Sequence, residues 1–378
     1  MRAYSRPGDS SKVKILHVTP AFFPAVGGIE TVVGDLVSHL HRKGIVADVL
    51  HMSPKYNKCR HEREGDGSVW RVPLFPNRLV GATPPIRSLL MTYDLLHVHD
   101  PQCMAITANV LAQGRGKRKL LSTHGGYFHT TNYSFAKQLH WRLLAGMILN
   151  RYDAVLASSA ADCSTFKAKA PKVRLLANGV NVSKFNSIEQ NRNLPATRWI
   201  YWGRLSQNKR IDLLIDTVKW ARYSGLDVNL TIAGADFDGL LPSIRSRIGS
   251  YGLTDHIRIT GILSDADLRA EIANHTVFVT ASEYEGFGLG VIEAMAAGLL
   301  VVCRNMTPLN SFVVPGKNGI HVAFDGSSRD LASIKALCKT SNTEIWAMRE
   351  FARATALPHS WDTVIKHYIV VYEEVMRL

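Results

Sequence analysis

The pattern that most constrains the fold is a strand–helix alternation that runs along the chain, breaks once and begins again. Apolar, strand-like runs at 13–18, 46–50, 95–99, 119–123 and 154–157 are interleaved with helical periodicity near 30–44, 104–112 and 135–149. A polar stretch at 183–195, SKFNSIEQNRNLP, interrupts the series. Strands are then expected at 199–202, 228–233, 256–260, 277–281 and 300–303, with helices at 211–224 and 289–297. Alternation of this kind requires parallel strands covered by helices on both faces. The expected fold class is α/β, with doubly wound domains at 1–190 and 191–355 and a terminal amphipathic segment at 356–378. Two such domains joined by one linker leave a cleft for ligands, which gather at the carboxyl ends of parallel strands.

Composition narrows the class. Of 378 residues, 46% are hydrophobic and 20% charged, the balance of a globular protein. The longest apolar run, 294–303, is far short of the roughly 20 residues that span a bilayer. The first residues, MRAYSRPGDSSKVK, lack the apolar stretch of a secretion signal, so a cytoplasmic location is expected. Five widely spaced cysteines with no CxxC argue against a disulfide scaffold and a cysteine-ligated zinc. Residues 1–190 hold 25 Lys and Arg against 12 Asp and Glu, whereas residues 191–378 hold 20 against 19. This one-sided excess suggests a domain facing an anionic surface or substrate. Without an aromatic-interleaved basic motif, nucleic acid is not the expected partner.

Four segments carry candidate chemistry. Ser282-Glu-Tyr-Glu-Gly-Phe-Gly-Leu-Gly-Val-Ile-Glu-Ala-Met-Ala-Ala-Gly298 passes from a strand end through a glycine-rich loop into a helix. A helix start offers free N–H groups to an anion, and Glu285 and Glu293 are placed to accept bonds from hydroxyls. Trp202-Gly-Arg-Leu-Ser-Gln-Asn-Lys-Arg-Ile211 follows a strand, with Gly203 opening the backbone and Arg204 and Lys209 able to converge on one anion. Gly27 and Gly28, before Glu30, permit close approach of a ligand but lack the spacing of a dinucleotide fingerprint. His124, in Ser122-Thr-His-Gly-Gly126, lies at another strand end.

Taken in order with Asn178-Gly-Val-Asn181, these segments resemble the retaining GT-B glycosyltransferases of family 4, over essentially the whole chain. The resemblance implies the GT-B fold, two Rossmann-like domains facing across a cleft, with the terminal segment crossing back onto the first domain. It implies that Arg204 and Lys209 neutralise a donor diphosphate and that Glu293 holds the ribose hydroxyls. Glu285 and the backbone of Phe287, Gly288 and Leu289 would contact the transferred sugar. His124 would stand beside that sugar, and Gly27, Gly28 and Gly203 near the diphosphate. No metal or other cofactor is expected, because fixed cations can stabilise the leaving group.

The 282–300 stretch is most similar to bacterial α-mannosyltransferases that use GDP-mannose and extend polyprenyl-diphosphate-linked saccharides for exopolysaccharide. A UDP-sugar donor or a sugar-nucleotide epimerase is the alternative, base recognition falling to the backbone near 261–263. The basic first domain is expected to meet an anionic membrane surface peripherally, through the 114–119 cationic cluster and the mixed segment at 80–91. Two further patterns resemble metal sites. Asp236-Phe-Asp238 follows a strand, and His97-Val-His99 puts two imidazoles on one strand face with no third ligand at a sensible spacing.

Overall fold

The computed structural model describes residues 13–377, apart from 25–26, 65–66, 79, 100, 126–133 and 187. The chain divides into two compact units, 1–179 with 364–378, and 180–363. The sequence reading divided it at 190 and 355. The difference has a local cause, because Val180 is bridged to Ser360 and its N–H donates to the His359 carbonyl at 2.8 Å.

In the first unit the strands are β1 (Lys14–Thr19), β2 (Val46–Ser53), β3 (Arg60–Glu64), β4 (Gly67–Pro73), β5 (Leu95–His99), β6 (Arg118–Ser122), β7 (Ala154–Ala157) and β8 (Val173–Leu175). They form one sheet in the order β3-β4-β2-β1-β5-β6-β7-β8. All pairings are parallel except β3 with β4. An all-parallel sheet was expected, and the exception is explained by composition. RHERE is too charged for a covered central strand and sits at the edge, where charge also blocks further pairing. By contrast every residue of β5 is buried, as a strand covered on both faces requires.

The second unit contains β9 (Arg198–Trp202), β10 (Asn229–Ala233), β11 (Ile257–Gly261), β12 (Val277–Thr280), β13 (Leu300–Cys303) and β14 (Gly319–His321). Their order is β11-β10-β9-β12-β13-β14, every pair parallel. The strand order reverses between β9 and β12, the point at which open α/β sheets bind ligands. The loops leaving those two strands are the ones that carry Arg204 to Arg210 and Glu283 to Gly288.

Each unit has its own core, one around Leu16, Val98, Leu121 and Phe166, the other around Trp199, Tyr201, Leu214 and Val279. The terminal helix, Trp361–Arg377, contributes Tyr368 and Tyr372 to the first unit, where Tyr372 Oη lies 2.9 Å from His97 Nδ1. The helical pattern at 135–149 is two helices, Ser134–Leu143 and Ala145–Leu149, parted at Leu144. Among the described residues no helix is long and apolar enough to cross a membrane.

Candidate functional site

The second unit brings its candidate residues together. Beyond β9 the chain turns at Gly203, whose N–H donates to the Ala233 carbonyl at 3.0 Å. The neighbouring loop comes so close that a Cβ on Gly234 would stand 1.7 Å from the Gly203 carbonyl oxygen, so position 234 admits only glycine. Arg204 is exposed, its guanidinium 4.8 Å from the Phe237 ring centre, with no carboxylate partner among the described residues. Lys209 extends to Glu285, Nζ to Oε1 at 2.6 Å, both side chains largely buried. Sequence reading assigned that lysine and that carboxylate to different parts of a ligand. The structure makes them an ion pair.

The two loops are stitched together around this pair. Asn208 donates from Nδ2 to the Tyr284 carbonyl at 2.9 Å and accepts the Glu283 N–H at 3.0 Å. Arg210 forks onto Asp212 at 3.0 and 2.9 Å and also pairs with Glu283. These contacts went unforeseen; only the left-to-right order of strands in the sheet reveals them.

Gly288 begins the helix Leu289–Ala296 at φ 87°, and a Cβ there would meet Leu309 at 2.6 Å. The first amides of that helix have no acceptor within it, which leaves Leu289 and Gly290 N–H groups for a ligand. Phe287 anchors the loop, its ring buried edge-on against Phe312 and His359. Glu293, one turn in, accepts from Trp202 Nε1 at 3.2 Å, so one expected carboxylate is oriented by the end of β9 and the other, through Lys209, by the loop that follows it. The 261–263 backbone is tied to the same place, since Gly234 N–H donates to the Gly261 carbonyl at 2.7 Å. Burial raises the Tyr201 phenol, aided by the charge of Glu285, so its hydroxyl stays protonated and donates to the Arg204 carbonyl at 2.9 Å. The carboxylates of the Asp236-Phe-Asp238 pattern are engaged with backbone: Asp236 accepts from Leu240 and Leu241, Asp238 from Gln207.

In the first unit Gly27 is the extended N-cap of the helix Gly28–Arg42, and a Cβ on it would meet the Glu30 carboxylate at 2.7 Å. His124 stands just past β6 at φ 46°, while Gly126 of the same pattern lies outside the described residues. His124 is one end of a buried chain. Its Nε2 is 2.7 Å from His99 Nδ1, and His99 Nε2 is 3.0 Å from His17 Nδ1. His97 lies against them, bonded to Ser122 as well as Tyr372. Burial lowers His17 to about 3 and His124 to about 4, and takes His97 and His99 well below the ordinary imidazole value. The third histidine absent from the sequence spacing is thus His17, near enough to His97 and His99 for one ion to be shared. However, both ring nitrogens of His97 and of His99 already face partners, which makes this a hydrogen-bonded imidazole chain.

The expected lipid-facing segments fare differently. In the 114–119 cluster, Arg118 pairs with Asp153 at 3.2 Å and buried Lys119 donates to the Lys117 carbonyl at 2.7 Å, which consumes two of its four cations. In 80–91, Ile86 and Leu90 are core residues, leaving Val80 and Met91 exposed.

Residues 26–184 match the family described as Glycosyltransferase Family 4, and residues 183–344 match Glycosyl transferases group 1. The chain is 27% identical over 373 residues to GDP-mannose:cellobiosyl-diphosphopolyprenol alpha-mannosyltransferase of Xanthomonas campestris, covering 96% of this chain and 97% of that one. It is 29% identical over 384 residues to the protein of the same name from Komagataeibacter xylinus, covering 98% and 95%. In fold it resembles sucrose-phosphate synthase from Thermosynechococcus elongatus, with a TM-score of 0.75 at 18% identity over 96% of this chain and 99% of that chain.

Proposed function

Because the chain belongs to the GT-B glycosyltransferases of family 4, we propose that it transfers mannose from GDP-mannose to a polyprenyl-diphosphate-linked saccharide, retaining the anomeric configuration. The observation that carries this reading is the cluster at the β9–β12 switch point. There the loops after β9 and β12 hold a lysine–glutamate pair beside a helix start that carries a second carboxylate, and Arg204 stands exposed on the first of those loops over the Phe237 ring. Departure of a nucleoside diphosphate builds negative charge. Arg204 offers bidentate bonds to it, Lys209 adds its remaining N–H groups, and the Leu289 and Gly290 amides complete the cradle. Glu293 binds ribose hydroxyls and Glu285 a hydroxyl of the hexose. The departing diphosphate takes the acceptor proton on the face it leaves, so Glu285, already held by Lys209, serves as a hydrogen-bond acceptor and not as a nucleophile. On this reading fixed cations do the work and no metal is needed.

GDP-mannose and the lipid-linked acceptor are supported by the names of the two relatives, and the acceptor implies bacterial exopolysaccharide or surface-glycan synthesis. The enzyme then works peripherally at the inner face of the cell membrane. A UDP-sugar-dependent transferase is the second reading, since the 261–263 backbone that would meet the base does not discriminate by side chain. The test is transfer of labelled mannose from GDP-mannose to a polyprenyl-diphosphate-linked disaccharide with EDTA present. The expected product carries an α-linked mannose by its anomeric coupling constant. Transfer only from UDP-sugars, or a β-linked product, contradicts the proposal.

A further inference from the structure

Four large apolar side chains of the first unit stand in solvent on one short stretch: Leu139 (48% exposed), Leu143 (63%), Leu144 (44%) and Met147 (60%). Leu139 and Leu143 lie four residues apart on the first of the two helices that part at Leu144, and Met147 follows four residues later on the second. The stretch turns a different set inward. Trp141 packs edge-on against Phe166 with ring centres 5.2 Å apart, and Ala145, Ile148 and Leu149 close on the core beside it. It is therefore apolar on both sides, one filled by the core and the other open. An ordinary solvated helix places charged residues on the open side.

The charged residues of this stretch and the lysine that reaches it have one sign. Arg142 and Arg151 are exposed, and Lys169 lies 6.0 Å over the Trp141 ring. From residue 101 to residue 152 the sequence contains no Asp or Glu. An open leucine and methionine face framed by arginines and free of carboxylates has the chemistry of an interfacial helix on anionic lipid. We propose that residues 139–147 are where this protein docks on an anionic membrane surface, Leu143 and Met147 entering the headgroup layer and Arg142 and Arg151 meeting lipid phosphates. The inference rests on the lipid-linked acceptor proposed above. It moves the contact away from the 114–119 cluster, whose charges are partly spent within the fold.

The test is co-sedimentation of the full chain with large vesicles, either phosphatidylcholine alone or phosphatidylcholine with roughly a third phosphatidylglycerol. The wild type is compared with the Leu143→Glu/Met147→Glu variant. GDP-mannose affinity and the thermal midpoint are measured on the same preparations. The wild type is expected to bind the anionic vesicles and to release at high salt, and the variant to bind them roughly tenfold more weakly with its other properties unchanged. Equal binding by both proteins, no binding by the wild type, or a lipid-free dimer that the variant dissociates would overturn the proposal. Vesicle binding as expected without any GDP-mannose affinity in the wild type would sustain the docking face and overturn the donor reading instead.

Discussion

Arg210 holds a backbone conformation that its side chain disfavours, φ 47° and ψ 52°, in the left-handed region. That costs about 1–2 kcal/mol for a residue with a Cβ. Its partners Asp212 and Glu283 are half-exposed, so each ion pair contributes under about 1 kcal/mol. The two effects nearly cancel, and what the arrangement delivers is the position of the Glu283–Glu285 loop. Arg210→Gly removes the strain and the clamp together. The expected result is a thermal midpoint within a few degrees of wild type and a donor KM raised roughly fivefold. A lowered midpoint with unchanged KM would assign Arg210 to stability alone.

At the scale of elements, register decides what meets. Parallel pairing sets His17 of β1 opposite His97 of β5, and His99 opposite Ser122 of β6, which gathers imidazoles from 80 or more residues of sequence into one buried chain. In the sequence His97-Val-His99 was legible as a pair on one face. His17 was not, because no local spacing encodes strand order. The Lys209–Glu285 pair was hidden for the same reason, since β9 and β12 become neighbours only in the folded sheet. The chain also has a consequence for stability. His17 and His124 stay neutral when folded, at about 3 and about 4, whereas in the unfolded chain they bind protons below about 6.5. The unfolded state therefore gains protons first as pH falls, so this stability is complete above about pH 6.5 and is lost as pH drops toward the folded values. Each of the two histidines is expected to cost roughly 2 kcal/mol between pH 7.5 and pH 5. Urea titrations at those pH values measure it, and equal stability at both would show that the imidazoles are not buried as neutral groups.

For the whole molecule, the interrupted alternation was enough to read two doubly wound units, because covered parallel sheets demand continuous apolar strands at regular intervals. It could not show that β3 runs antiparallel at the edge. Nor could it show that Val180 pairs with Ser360 and so belongs with the second unit. The residues proposed to grip the donor diphosphate by side chain, Arg204 and Lys209, both lie in that second unit, whereas the basic surplus lies in residues 1–190. Donor binding is thus assigned to fixed cations at the β9–β12 switch point. Calorimetric titration of GDP-mannose into the full chain with EDTA present tests that assignment most directly, alongside Arg204→Ala and Lys209→Ala. Binding by the wild type is expected, with affinity lowered by roughly tenfold or more in each variant; the thermal midpoint stays unchanged in Arg204→Ala and falls in Lys209→Ala, where Glu285 is left without its partner. Wild-type affinity in both variants, or binding that appears only on adding a divalent cation, would contradict that assignment.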